Sequence, residues 1–211
     1  RGMFNRGAAK EQAAKNGRRD PDYEFGTNPC SEIILRSKEF CNLTEIVVRE
    51  DDTEETLKQK VKLATILGTW QSTLTNFKYL NRKWNENCEE ERLLGVSMTG
   101  IMDSHITNGS LPPNGPGGRP LRGLPEILRA LKQVAVDTNK EWAKKLNVNQ
   151  SAAITCVKPS GTVSQLVDSA SGIHARHNPY YIRTVRADKK DPLAKMMSDA
   201  GFPHEDDVTK P

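Results

Sequence analysis

Apolar residues recur at two different periods along this chain. Leu57, Val61, Ala64, Leu67, Trp70 and Leu74 return every three or four positions, the spacing of one helix face. Asp52-Thr53-Glu54-Glu55 stands just before them and reads as a capping box. A second stripe, Ile127, Leu128, Leu131, Val134, Ala135, Thr138 and Trp142, follows Pro125, which suits a first helical turn. Asp191-Pro192 opens a further helix that ends at Gly201. Between the stripes lie strand-like runs: Phe25–Leu35, Cys41–Arg49, Leu93–Met102, the short apolar Ala152–Val157, and the alternating Tyr180–Arg186. Gly95 and Gly100 allow close backbone approach within the third run. Asn108–Gly123 is rich in Pro and Gly and reads as a loop or insertion. Strands alternating with helices predict an α/β fold of βαβ units with a largely parallel sheet.

Composition narrows the function classes. The 211 residues carry 31 basic and 27 acidic side chains, a net charge of +4. That is a mixed surface, so no nucleic-acid partner is expected. The basic stretch Arg1–Asp20, with Arg6, Lys10, Lys15, Arg18 and Arg19, reads as a solvated face. No apolar run is long enough to span a membrane, and no signal peptide is recognisable. Cys30, Cys41, Cys88 and Cys156 form no CxxC pair, which predicts a reducing, cytoplasmic setting. The chain starts at Arg1 and stops at Pro211, and both edges read as cuts through a longer polypeptide.

Asn28-Pro29-Cys30-Ser31-Glu32 packs an amide, a thiol and a carboxylate into five residues. If extended, it presents Asn28, Cys30 and Glu32 on one face. Such a face suits gripping and oxidising a polyhydroxy substrate. The plain alternative is a loop with a buried, inert Cys and a solvated Glu. Pro159-Ser160-Gly161-Thr162-Val163-Ser164 follows a strand-like run and precedes helical text. A Gly-bent strand-to-helix turn points free N–H groups, a helix N-terminus and hydroxyls at an anion, with Lys158 adding charge. The Walker signature is missing. His174 and His177 have no grouped further ligand, so no metal site is expected.

Phe25-Gly26-Thr27-Asn28-Pro29-Cys30-Ser31-Glu32-Ile33-Ile34-Leu35, with Phe40-Cys41-Asn42-Leu43-Thr44-Glu45, resembles the active-site strand of ribonucleotide reductases. Lys158-Pro159-Ser160-Gly161-Thr162-Val163-Ser164-Gln165-Leu166 resembles that family's phosphate loop. Ser169–Arg176 and Tyr180–Arg186 resemble the adenosylcobalamin-dependent class that reduces ribonucleoside triphosphates. The resemblance covers nearly the whole chain and is weakest between Ser104 and Leu121.

The resemblance implies part of a ten-stranded α/β barrel with an active-site finger loop. Residues 1–103 would hold the Cys loop and following helices, 104–123 an insertion, and 124–211 the phosphate-loop half. It implies Cys30 as the thiyl residue that takes hydrogen from the ribose C3′. Glu32 would be the base for the 3′-hydroxyl, its pKa raised towards neutrality by burial. Asn28 would hold the ribose hydroxyls, and Ser31 stands where Gly is commonest. Cys41 would be one of two reducing cysteines, its partner on an earlier strand outside this chain, with Cys88 and Cys156 structural. Pro159, Ser160, Gly161, Thr162, Val163 and Ser164 would bind substrate phosphates.

Adenosylcobalamin is the implied cofactor, and a thioredoxin-like dithiol and the remainder of the enzyme are the implied partners. Two alternatives stand beside this reading. One is an inactive or split fragment that binds nucleotide or a complementary chain. The other is a segment of an iron-dependent reductase. The geometric expectations are that Cys30 sits at a barrel-interior loop tip among Asn28, Glu32 and Cys41, and that Ser160–Ser164 opens towards it.

Overall fold

The computed structural model describes residues 3–15, 17–110 and 123–209. Its elements are α1 (Arg6–Ala14), β1 (Phe25–Thr27), β2 (Ile34–Arg36), β3 (Asn42–Val47), α2 (Glu54–Gln71), α3 (Arg82–Glu91), β4 (Leu94–Thr99), a 3-10 turn (Ile101–Asp103), α4 (Leu124–Leu146), α5 (Val163–Leu166) and α6 (Pro192–Asp199). The weakly resembling insertion lies mostly outside the described residues.

The helical stripes cover one face of a parallel sheet. β3 pairs with β4 in register from Asn42↔Leu94 to Val47↔Thr99. The far edge of β4 takes a third segment through a single bridge, Val96↔Thr155. Ile46, Val48, Leu94, Val96 and Ile154 meet Leu57, Val61 and Ala64 of α2 and Ile127, Leu131 and Ala135 of α4 in one core. Fully burying a side chain such as Leu57 or Leu94 stabilises the fold by about 1.5–3 kcal/mol. Alternation along the strands then turns Cys41, Leu43 and Glu45 of the β3 chain, and Gly95 and Ser97 of β4, to the face away from the helices.

Two glycines sit where this packing crowds a Cβ. A Cβ on Gly95 would meet Leu43 Cδ2 at 2.5 Å. Gly100 has φ +74°, and a Cβ there would lie 2.6 Å from the Val48 carbonyl oxygen, where backbone cannot yield.

Several expectations change in the fold. The α2 cap forms between Thr53 and Thr56, whose hydroxyls accept from each other's backbone N–H at 3.2 and 2.9 Å. Leu67, Trp70 and Leu74 are exposed. The buried stripe runs instead through Thr65, Gly68 and Thr69, because a small Gly68 lets α2 lie against Leu94. The predicted strand Phe25–Leu35 is a hairpin, with Phe25↔Arg36, Gly26↔Leu35 and Thr27↔Ile34 paired antiparallel. Pro29 lacks an N–H and Ser31 has φ +63°, so the backbone between them turns. Ala152–Val157 contributes only its one bridge. Helix α3 escaped the apolar pattern because its buried positions are Asn87, Cys88 and Glu91.

Arg19 is not solvated. It is buried, and its Nε donates to Glu91 Oε1 at 2.9 Å while its Nη2 reaches Glu39 at 3.4 Å. Arg36 lies beside it, donating its backbone N–H to Glu39 at 2.8 Å and its guanidinium to Glu90 at 3.0 Å and to the Asn87 carbonyl at 3.0 Å. This network clamps the β1–β2 hairpin to α3. Burial pushes the Glu39 carboxyl up to about 8, aided by the hydrogen bond and charge of Glu91.

A carboxyl with a raised folded pKa keeps a proton that the unfolded chain releases near 4.5. That contribution to stability is complete below the unfolded value and is lost as pH rises through about 8. We therefore expect the melting temperature to fall across this window. Glu39→Gln, which cannot titrate, flattens the decline in a series of melts at stepped pH. An unchanged slope in the variant would assign the decline elsewhere.

Residues 177–211 form a separate unit. Asp191 caps α6 by accepting from the Leu193 N–H at 2.8 Å, as the sequence predicts. The run Tyr180–Arg186 makes no strand. A strand needs a neighbour and a face to bury, and Tyr180, Ile182 and Val185 are exposed.

Candidate active site

The site grows from the tip of the β1–β2 hairpin. The Ser31 N–H donates to the Asn28 carbonyl at 3.0 Å and closes a turn. Asn28 uses both ends of its amide: Oδ1 accepts from the Ile33 N–H at 3.1 Å, and Nδ2 donates to Glu32 Oε1 at 2.5 Å. Cys30 is exposed in that turn. The extended geometry expected for this stretch does not occur; Asn28 meets Glu32 across the turn. Ser31 takes the left-handed conformation that glycine adopts without cost, which is the physical reason a Gly suits this position.

Glu32 is the most constrained member. Its side chain is 5 % exposed, and Oε1 also receives the Lys158 ammonium at 2.9 Å. Oε2 is buried and has no hydrogen-bond partner. Burial by itself opposes the charged form. The hydrogen bonds from Lys158, from backbone and from Asn28, with the Lys158 charge, outweigh it and hold the carboxyl below its ordinary value. The expected rise towards neutrality is thus corrected: in this state Glu32 is a paired carboxylate. Lys158 also reaches the Cys30 side chain, and these contacts raise its own pKa, the Glu32 bond most.

Cys41 and Cys156 flank β4 on the same face. A Cβ placed on Gly95 would be 3.1 Å from each sulfur, so the sulfurs are no further apart than twice that distance. Burial, then the proximity of Cys156, Glu32 and Glu39, pushes the Cys41 thiol well up. Cys156 is pushed up to about 11, mainly by burial and then by Glu32. Both thiols therefore hold their protons at neutral pH. The sequence alone gave no sign that Cys156 joins this group. It is still no disulfide partner for Cys41, because a strand lies between them. Two strand spacings of about 4.8 Å exceed the roughly 7 Å Cα limit for a bridge.

The phosphate-loop candidate begins where Lys158 ends. The Lys158 backbone N–H donates to Ser97 Oγ at 2.9 Å, which pins the loop's start to β4. Gly161 has φ +60°, and α5 is a single turn, far shorter than the helix expected. Ser160 donates its hydroxyl to Glu45 Oε1 at 2.8 Å, and Ser164 to the Gly161 carbonyl at 3.0 Å. Those hydroxyls are engaged within the fold. Among the described residues the N–H groups of Gly161 and Thr162 donate to nothing. Pro159, Gly161, Thr162 and Val163 are exposed.

Gly172 closes over the loop, 3.4 Å from the Lys158 carbonyl oxygen measured from a Cβ built there. Its segment is held by Thr99 Oγ1, which accepts from the Gly172 N–H at 2.9 Å, and by Arg176 paired with Asp103 at 3.0 Å and with Asp168 at 2.9 Å. Lys158, through Glu32, and Ser160, through Glu45, thus link the two sequence motifs.

No family model matches the chain. Over 203 residues it is 32 % identical to the adenosylcobalamin-dependent ribonucleoside-triphosphate reductase of Lactobacillus gasseri, covering 88 % of this chain and 27 % of that protein. The namesake enzyme of Lacticaseibacillus paracasei is 32 % identical over 92 % of this chain and 27 % of its own length. That of Euglena gracilis is 30 % identical over 86 % of this chain and 24 % of its own. A crystal structure of a B12-dependent class II ribonucleotide reductase superposes with TM-score 0.64 at 27 % identity, over 87 % of this chain and 27 % of that one. The class Id α subunit from Actinobacillus ureae superposes with TM-score 0.51 at 16 % identity, a likeness of fold alone. The chain spans about a quarter of the length of the curated relatives it matches. The expected fold class holds: mixed helix and strand, alike to part of the ribonucleotide reductase α/β barrel.

Proposed function

We propose that this chain, a homologue of one segment of the adenosylcobalamin-dependent ribonucleoside-triphosphate reductases, carries the radical and proton chemistry of such an enzyme. The observation that supports this most is the convergence of Cys30, Asn28, Glu32 and Lys158 at the hairpin tip, with Cys41 close to Glu32. In this reading residues 1–103 supply the cysteines, 124–211 the phosphate loop, and 104–123 an insertion within one partial barrel domain.

The sheet face opposite the helices is the barrel interior. Ribonucleoside triphosphate binds with its phosphates on 159–164, where the free N–H groups of Gly161 and Thr162 and the exposed backbone face outward. Its ribose reaches Cys30. Cys30 as a thiyl takes the C3′ hydrogen atom and becomes a thiol. An accessible sulfur at a loop tip fits a radical source bound outside this segment. Adenosylcobalamin supplies that radical when bound.

Asn28 orients the ribose hydroxyls, and Glu32 accepts the 3′-hydroxyl proton. Cys41, protonated at neutral pH, gives a proton to the departing 2′-hydroxyl, which leaves as water. Two electrons come from Cys41 and a second thiol on another part of the enzyme, which become a disulfide. A thioredoxin-like dithiol then reduces it, in a cytoplasmic setting. Cys30 recovers its thiyl when the hydrogen atom returns to C3′.

The test is deoxynucleotide formation from ribonucleoside triphosphate with adenosylcobalamin and a dithiol. Turnover is expected when this chain is joined to the remainder of its reductase and not from residues 1–211 alone. Turnover by the isolated chain would refute the split of cysteines proposed here. No turnover in either form would refute the enzymatic reading.

A further inference from the structure

We infer that Lys158 couples occupancy of the 159–164 loop to the state of Glu32: an anionic triphosphate draws the ammonium off the carboxylate and frees it to accept a proton. This deepens the proposed function and rests on its placing the phosphates at that loop.

The geometry argues for a switchable pair and not a fixed one. Glu32 is nearly enclosed, whereas the Lys158 side chain is 26 % exposed at the edge of the loop. The Lys158 backbone is held by Ser97, so only its flexible stem needs to swing. The loop's serine hydroxyls are committed, Ser160 to Glu45 and Ser164 to Gly161, and residues 159–164 carry no charged side chain of their own. Lys158 is therefore the cation nearest to hand for an arriving phosphate, and several phosphate charges outcompete one carboxylate.

Glu32 is built to respond. Oε1 keeps the Asn28 amide when Lys158 leaves, and Oε2 already lacks a donor. The groups that face Glu32 are Lys158, the Asn28 amide and the thiols Cys41 and Cys156, and Lys158 also contacts Cys30. Lys158 is the one cation among them. Its departure leaves a buried carboxylate without a counter-charge, which raises its affinity for a proton. Glu32 thus becomes a competent base when substrate phosphates are in place.

The experiment uses the 211-residue chain and inorganic tripolyphosphate, with no cofactor and no turnover. Glutamate carboxyl carbons are labelled with 13C, the Glu32 signal is identified by its loss in Glu32→Gln, and it is titrated by NMR. Tripolyphosphate is expected to raise the Glu32 midpoint by about one pH unit or more, the size typical of losing a close opposite charge. Lys158→Met is expected to show the raised midpoint without tripolyphosphate and no further movement with it. Lys158→Arg restores the low midpoint.

If tripolyphosphate shifts the Gly161 and Thr162 amide signals while the Glu32 midpoint stays put, the coupling is wrong and the enzymatic reading stands. If those amides do not respond at any tripolyphosphate concentration, the phosphate-loop assignment and the coupling fall together.

Discussion

Under the proposed function, Cys30→Ser is expected to abolish deoxynucleotide formation by the assembled enzyme. The thiol is suited to hydrogen-atom transfer because its S–H bond and an activated ribose C–H bond are comparable in strength. An alcohol O–H is stronger, so a seryl oxygen is not oxidised to the radical. The substitution is nearly isosteric, and Cys30 is exposed, so folding is expected to be unaffected. Circular dichroism and melting of the variant check that. Cys41→Ser is expected to behave differently: the two-electron reduction stops, while exchange of the C3′ hydrogen with a labelled substrate continues. Normal turnover in Cys30→Ser would remove it from the thiyl role. Loss of hydrogen exchange in Cys41→Ser would place Cys41 before, and not after, the first abstraction.

Arg36→Ala is expected to cost about 3–5 kcal/mol of folding stability, the range for breaking one side of a buried ion pair. The Arg36 side chain is 2 % exposed, and the buried carboxylate it faces is Glu91, 4 % exposed, at 3.6 Å. Removing the guanidinium strips Glu39 of a donor at 3.3 Å and the Asn87 carbonyl of one at 3.0 Å. It also takes away the stack over Tyr23, 4.4 Å from the ring centre. The loss is then felt at the site, since the same hairpin holds Asn28 and Cys30 at its tip. Denaturant titration measures the cost, and amide exchange at Gly26 and Leu35 reads hairpin opening. A change below about 1 kcal/mol, the worth of an exposed pair, would show that the network is not what clamps the hairpin.

Much of this molecule was legible from local pattern. The first half of the α2 stripe, most of the α4 stripe other than the exposed Leu128, and the Asp191 cap follow from short-range rules, because the residues concerned lie within one or two turns of each other. The close approach at Gly95 and Gly100 was legible because glycine alone lacks the Cβ that would meet the Leu43 side chain and the Val48 carbonyl. The nomination of Asn28, Cys30, Glu32 and Cys41 came from their motif, and the alternate spacing that supported the first three gave way to a turn in the fold.

Tertiary structure decided what depends on distant partners. The direction of the Glu32 shift turns on Lys158, far away in sequence, so burial reasoned from Glu32 alone pointed the wrong way. Arg19 read as a surface charge because nothing near it reveals Glu91, 72 residues on. Cys156 joined Cys41 only through the pairing of both flanking segments with β4, where a missing Cβ leaves room for two sulfurs. Periodicity reports the face a residue shares with its neighbours in the chain. It is silent on which charge or thiol the opposite strand brings, because that is set by register and by the energy of burying the pair.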